Sequence, residues 1–398
     1  MSVVAEREVR KKSLLAVPAN VADISQDKLN IENRTRTNLF AWNGQFSPQL
    51  IEAIVEHYAS SDDKVLDPFA GSGTTLYECA RKGISVCGTE LNPAAYYMGK
   101  VYQICCMKKG ARDSLIDSIN TLVNTCMEQQ DLVRYLVDYC EENRRTATGS
   151  TAALLIILLD IFHNDVTRRL LYEKWSKLRE IIRDLPYSAK PVVMELGDAR
   201  HLKISDSTID LVITSPPYIN VFNYHQNYRR SVEALGHDVL GIAKQEFGSN
   251  RKNRGNRLYT VVQYCIDMAL AVQEMARVCS SGARIVLIVG RESNVLGYSF
   301  YNSELIYEIC HQVLDFDLEL RQERVFKNRF GQLIYEDILH FSNDKECLLK
   351  EESVVVEEAR RIAKQALIDK LAIENKNRGL LQVAIEKAHT IQKSEDNQ

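Results

Sequence analysis

Lys64-Val65-Leu66-Asp67-Pro68-Phe69-Ala70-Gly71-Ser72-Gly73-Thr74-Thr75 is the stretch whose reading decides the fold. Its apolar start ending in an acid reads as a short buried strand, its proline and glycines as a tight turn, and residues 74–82 as a helix. A second strand follows at residues 85–90, and residues 48–58 form a helix ahead of the first. Strand, glycine-rich turn, helix and strand make a βαβ unit.

Outward from that unit, strand signals return at residues 192–196, 209–214, 283–290, 316–325 and 335–341, with helices at 261–278 and 303–313. Seven strands alternating with helices predict a doubly wound α/β sheet. Residues 93–185 read as helical and interrupt the alternation. The resulting division is an N-terminal arm at 1–35, carrying at most a short helix, and a catalytic domain at 36–345. That domain holds a helical insertion at 104–190. A helical C-terminal extension at 350–395 breaks near Gly379 and caps the domain.

Composition sets outer bounds. With 398 residues, 26% charged and 45% hydrophobic, the chain suits one globular domain with additions. The ten cysteines show no C-x-x-C spacing and the eight histidines no H-E-x-x-H, so no metal site is expected. The longest apolar run, residues 151–162, is too short to span a bilayer, and no apolar leader opens the sequence; a cytoplasmic protein with no membrane role is expected. A net charge of −3 speaks against a broadly basic surface. Two basic patches stand out: Arg229-Arg230, and the loop bearing Arg251, Lys252, Arg254 and Arg257 without an acid.

Chemistry concentrates at strand ends. In the turn after the first strand, Gly71 and Gly73 allow a ligand to approach backbone without a Cβ clash. Acids follow the other strands: Glu90, placed to accept from vicinal hydroxyls, and Asp198 after residues 192–197. The strand at 209–214 runs directly into Ser215-Pro216-Pro217-Tyr218. Two prolines fix φ and remove two N–H donors, so the Ser215 hydroxyl and the Pro216 carbonyl become acceptors on a stiff loop. Acceptors on both N–H bonds of a conjugated amine favour a pyramidal, nucleophilic nitrogen. Tyr218 is suited to stacking on an extruded base.

With Asp67-Pro68-Phe69-x-Gly71-Ser72-Gly73-Thr74, Ser215-Pro216-Pro217-Tyr218 and an upstream Phe46-Ser47-Pro48, the chain resembles the DNA amino-methyltransferases of the N4-cytosine and N6-adenine family over residues 40–342. The resemblance implies a Rossmann-like, seven-stranded sheet and S-adenosylmethionine as methyl donor. It implies cofactor contacts from Phe46, Ser47, Asp67, Phe69, Gly71, Gly73, Thr74, Glu90, Leu91, Asp198, Ala199 and Ser215, with Asp67 facing the methionine ammonium. It implies catalysis by Ser215, Pro216, Pro217 and Tyr218 on a flipped base in double-stranded DNA. Serine in the first catalytic position favours cytosine N4; adenine N6 is the alternative, followed by guanine N2 of transfer RNA and a noncatalytic nucleic-acid-binding subunit. A cognate restriction endonuclease or defence-system subunits are the implied protein partners. Target recognition is expected from residues 219–257, through Asn220, Tyr224, Arg229, Arg251, Lys252, Arg254 and Arg257, with Asn223 and His225 beside the base pocket.

Overall fold

The computed structural model describes residues 14, 17–20, 23–219, 223–248, 255–327, 331–343 and 349–396. Nine strands occur among them: β1 (Lys64–Asp67), β2 (Ser85–Glu90), β3 (Val192–Leu196), β4 (Ile209–Thr214), β5 (Cys279–Gly290), β6 (Glu292–Val295), β7 (Tyr298–Tyr301), β8 (Asp317–Lys327) and β9 (Leu333–Ser342). Seven form one sheet in the order β3-β2-β1-β4-β5-β9-β8, while β6 and β7 make a separate hairpin. Strands β3, β2, β1, β4 and β5 run parallel, and β9 is antiparallel to both β5 and β8. This is the doubly wound, Rossmann-like α/β sheet expected from the sequence, with one reversed strand near its far edge.

The central strands are apolar on both faces because helices cover both. Val65, Val86, Leu211, Ile213, Val286 and Ile288 belong to one core, shared with the helices Pro48–Tyr58 and Thr74–Lys82. Their neighbours Leu66, Cys87, Val212, Ile285, Leu287 and Val289 belong to the opposite core, under the helices Tyr259–Val278 and Glu352–Ile368. The predicted insertion is four helices, Lys109–Glu128, Leu132–Glu142, Ala147–Leu159 and Arg168–Asp184, and their buried side chains extend the first core. Ala147–Leu159 is buried on nearly all sides, which its unbroken apolar run requires.

Three expectations change. The tail breaks at residues 369–377, not near Gly379, which lies inside the helix Arg378–Lys387. The β6–β7 hairpin was not foreseen. The N-terminal segment is more than an arm: Leu14 is buried, the helix Gln26–Asn30 packs beside β8, and Asn30 Oδ1 accepts the Val325 amide at 2.8 Å. It thereby covers the edge that β8 leaves open.

Candidate active site

The order β2-β1-β4 places three carboxyl strand ends side by side, with the sheet's reversal of winding between β1 and β4. Asp67 ends β1 and is fully buried. Its Oδ2 accepts the Thr75 hydroxyl and its Oδ1 the Thr214 hydroxyl, each at 2.6 Å. Thr75 is the second residue of the helix Thr74–Lys82 that follows the turn, and Thr214 immediately precedes Ser215. One carboxylate thus sets the distance between the glycine-rich turn and the Ser215 loop. Burial raises it to about 6, against the pull of the two hydroxyls.

A pocket opens above these strand ends. Phe46, Phe69, Gly71, Thr74, Glu90, Leu91, Asp198, Ala199, Ser215, Pro217 and Tyr218 line it. Ser47, Asp67, Gly73 and Pro216 do not line it. Asp67 lies behind the wall, with both oxygens engaged, and not where it could meet an ammonium in the pocket. Ser47 caps the helix Pro48–Tyr58 from outside, its hydroxyl buried without a partner. Gly73 has φ +86°, and a Cβ there would lie 2.8 Å from Gly99 Cα, so its lack of side chain serves helix packing and not ligand approach.

Glu90 is the lining carboxylate of the central strands. Its Oε2 accepts the Gly71 amide at 2.9 Å and its Oε1 the Asn92 amide at 2.7 Å. Burial raises it to about 7, with Asp67 and Glu246 adding to the rise. Both donors are backbone amides, and hydroxyl donors from a ligand fit its remaining lone pairs.

A strap from residue 38 to 46 closes one side. Asn38 accepts the Thr74 hydroxyl at 2.8 Å and donates to the Phe46 carbonyl at 2.6 Å, while Ser72 donates to Gln45 at 2.9 Å. Trp42 stacks on Tyr224 and Tyr228, with centroids 6.1 and 6.5 Å apart. Trp42, Asn43, Gly44, Gln45, Asn92, Ile242, Glu246, Phe247 and Gly248 also line the pocket and were not foreseen. Trp42 could have been found from its proximity to the Phe46-Ser47-Pro48 element; residues 242–248 carry no recognisable pattern.

On the side of the Ser215 loop, the Tyr218 ring lies against Gly290 at the end of β5, where a Cβ would come within 2.6 Å of Cε2. The Tyr218 hydroxyl is 3.4 Å from Ser215 Oγ and donates to Glu336 Oε1 at 3.5 Å; Glu336 pairs with Arg324 at 3.1 Å. Burial, then the nearby Glu336, pushes the Tyr218 phenol upward, so it stays a neutral donor.

Among the expected DNA contacts, Tyr224 and Arg257 line the pocket, as does Asn223, whereas Arg229 pairs with Glu233 at 2.7 Å one helical turn away. His225 is buried against Glu246, Nδ1 to Oε2 at 2.8 Å. Asn220, Arg251, Lys252 and Arg254 lie outside the described residues. Among the described residues, no three His, Cys, Asp or Glu side chains gather in a way that could hold a metal ion, and no helix is long and apolar enough to cross a membrane.

Residues 10–101 match a family model described as DNA methylase, which includes the glycine-rich turn and ends before the Ser215 loop. The Type II methyltransferase M.MjaII of Methanocaldococcus jannaschii is 33% identical over 99 residues, 23% of this chain and 19% of that protein. The Type II methyltransferase M.AvaI of Nostoc is 23% identical over 284 residues, 55% of this chain and 58% of that protein. This chain therefore spans less than two thirds of either relative. A solved SAM-dependent methyltransferase from Methanosarcina mazei is 12% identical at a TM-score of 0.34, covering 73% of this chain and 96% of its own. At that score the superposition adds nothing to the strand order given above. The chain is thus similar to DNA methylases over residues 10–101 and to Type II methyltransferases over up to about half its length.

Proposed function

We propose that this chain transfers a methyl group from S-adenosylmethionine to an exocyclic amine of a base in double-stranded DNA, cytosine N4 being the favoured target, within restriction-modification or phage defence. One observation carries the reading: the Ser215-Pro216-Pro217-Tyr218 loop opens into the same pocket as the glycine-rich turn and Glu90, with Thr214 tied to that turn through Asp67.

The pocket suits the cofactor. Glu90 presents lone pairs to the ribose hydroxyls, Gly71 and Thr74 border the methionine end beneath the strap, and Phe69 and Phe247 offer apolar walls to the base. When bound, S-adenosylmethionine supplies a methyl on a sulfonium sulfur.

The chain's own residues orient the amine. With Tyr218 donating to Glu336, the Ser215 hydroxyl donates to Tyr218 and turns its oxygen lone pairs toward an incoming N–H. Pro216 does not line the pocket, so of the two expected acceptors it is the Ser215 hydroxyl that borders it. Oriented by that hydroxyl, the amine would present its lone pair toward the methyl that S-adenosylmethionine, held by Glu90, Gly71 and Thr74, would supply, and the proton lost from nitrogen would pass to solvent. No enzyme nucleophile is required, so positioning does most of the work. Trp42, Tyr224 and Tyr218 supply aromatic surface that compensates for unstacking a base, a cost of roughly a few kcal/mol.

The test is incubation of the protein and of Ser215→Ala with labelled S-adenosylmethionine and either mixed-sequence duplex DNA or transfer RNA, followed by nucleoside mass spectrometry. N4-methylcytosine that disappears in the variant is expected. N6-methyladenine would keep the chemistry and overturn the base. Methylguanine appearing only when transfer RNA is the substrate, or cofactor binding without any product, would overturn the DNA reading.

A further inference from the structure

Arg200 has no exposed side-chain surface and sits two residues past Asp198, which lines the pocket beyond the end of β3. Its Nε and one Nη grip the Asp198 carboxylate at 3.0 and 2.6 Å. The other Nη donates to Asp267 at 2.8 Å and to the Ser394 carbonyl at 3.1 Å. The first Nη also reaches the Glu395 carbonyl at 2.9 Å. The same guanidinium lies 5.0 Å from the centroid of the Phe247 ring, which meets Phe69 edge-on at 5.3 Å.

The C-terminal segment is bound into this cluster from outside. Ser394 is buried; its amide donates to Asp267 Oδ1 at 2.9 Å, and its hydroxyl is 2.6 Å from Asp267 Oδ2 and 3.1 Å from the Glu246 carbonyl. The Glu395 amide donates to the Lys244 carbonyl at 3.1 Å, and Asp396 holds His201 and Lys393. The segment runs behind residues 244–248, whose other side supplies Glu246, Phe247 and Gly248 to the pocket.

We propose that Arg200, Asp267 and the strap 393–396 are positioning residues that give the cofactor site its selectivity for adenine. The proposal rests on S-adenosylmethionine as cofactor. The Arg200 fork fixes the plane of the Asp198 carboxylate and leaves acceptor capacity toward the pocket, which an exocyclic amine satisfies and a carbonyl does not. The same guanidinium fixes the Phe247 ring, and with Phe69 it bounds a slot for a flat, weakly polar ring. A purine bearing an amine fits both features. The C-terminal segment is thus part of the cofactor site without touching the cofactor.

The experiment compares full-length wild type with Ser394→Ala and Asp267→Asn. Calorimetry measures affinity for S-adenosylhomocysteine and for its hypoxanthine analogue, in which a carbonyl replaces the amine. Wild type should prefer the adenine form by at least about tenfold, the scale of one hydrogen bond to a charged acceptor. Each variant should weaken the adenine form by about tenfold while barely changing the hypoxanthine form, so that the preference collapses. Parallel loss for both ligands would mean a purely structural role and overturns the proposal, as does an unchanged preference. If Asp267→Asn fails to fold, Ser394→Ala decides alone. Wild type binding neither ligand sinks the methyltransferase reading itself, whereas wild-type preference that survives both substitutions sinks only the strap.

Discussion

Asp67 and Glu90 end neighbouring strands, and both are carboxylates lifted by burial, yet their partners divide their work. Asp67 spends both oxygens on Thr75 and Thr214. Removing it in Asp67→Ala orphans two hydroxyls and should cost about 3 kcal/mol in urea unfolding, while Asp67→Asn, which keeps the shape, should cost about 1 kcal/mol. Glu90 spends its oxygens on two amides and faces the pocket. Raised to about 7, it is mostly neutral at pH 6 and mostly charged at pH 8 in the ligand-free protein. In the proposed binding mode ribose hydroxyls donate best to the charged form, so cofactor binding should release a proton and tighten as pH rises. The cofactor Kd should be about tenfold weaker at pH 6 than at pH 8. Glu90→Gln should bind more weakly throughout and lose that slope; a slope unchanged in the variant would assign it to another group.

At the scale of elements, the turn between β1 and its helix is held from above and below. Asn38 and Gln45 bond to Thr74 and Ser72 from the strap, and Gly73 meets Gly99 beneath. Gly73→Ala combines a left-handed φ with a backbone clash and should destabilise by about 2–3 kcal/mol, read as a lower urea midpoint with an unchanged m value. Asn38→Ala loosens the strap without touching the core and should weaken cofactor binding several-fold, about the effect of one hydrogen bond. The bounds of β1, β2, β3 and β4 were legible because short apolar runs between turn residues carry a local signal. The β6–β7 hairpin was not, since Glu292–Val295 carries one apolar residue, Val295, and so shows no apolar run. The tail break was misplaced for a related reason: Gly379 is tolerated in the second position of a helix, while residues 369–377 interrupt through their turns and through Asn375 and Asn377 bonding to Leu296.

For the molecule as a whole, a net charge of −3 means that the DNA affinity required by the proposed function would come from local cations. Arg229 is paired with Glu233, Arg230 lies over the Phe162 ring and Arg257 faces the pocket, so of the two basic patches in the sequence the one bearing Arg251, Lys252 and Arg254 is the proposed phosphate contact. Replacing those three with serine should weaken binding to all duplexes alike. It should also reduce the slope of log K against log salt by about 3, as measured by fluorescence anisotropy across a salt series. A slope unchanged by the triple substitution would move the phosphate contact elsewhere, to the insertion at 109–184 or to the far face.

The sequence by itself determined the alternating sheet, the glycine-rich turn, the rigid Ser215-Pro216-Pro217-Tyr218 loop and the acids at strand ends, because each follows from residues adjacent in the chain and from backbone sterics. Tertiary structure alone decided which acids face the pocket and which support it. Asp67 and Thr214 are 147 positions apart, and Arg200 and Ser394 are 194 apart. A hydrogen bond needs contact within about 3 Å, and only the packed sheet with its returning tail brings such distant partners that close.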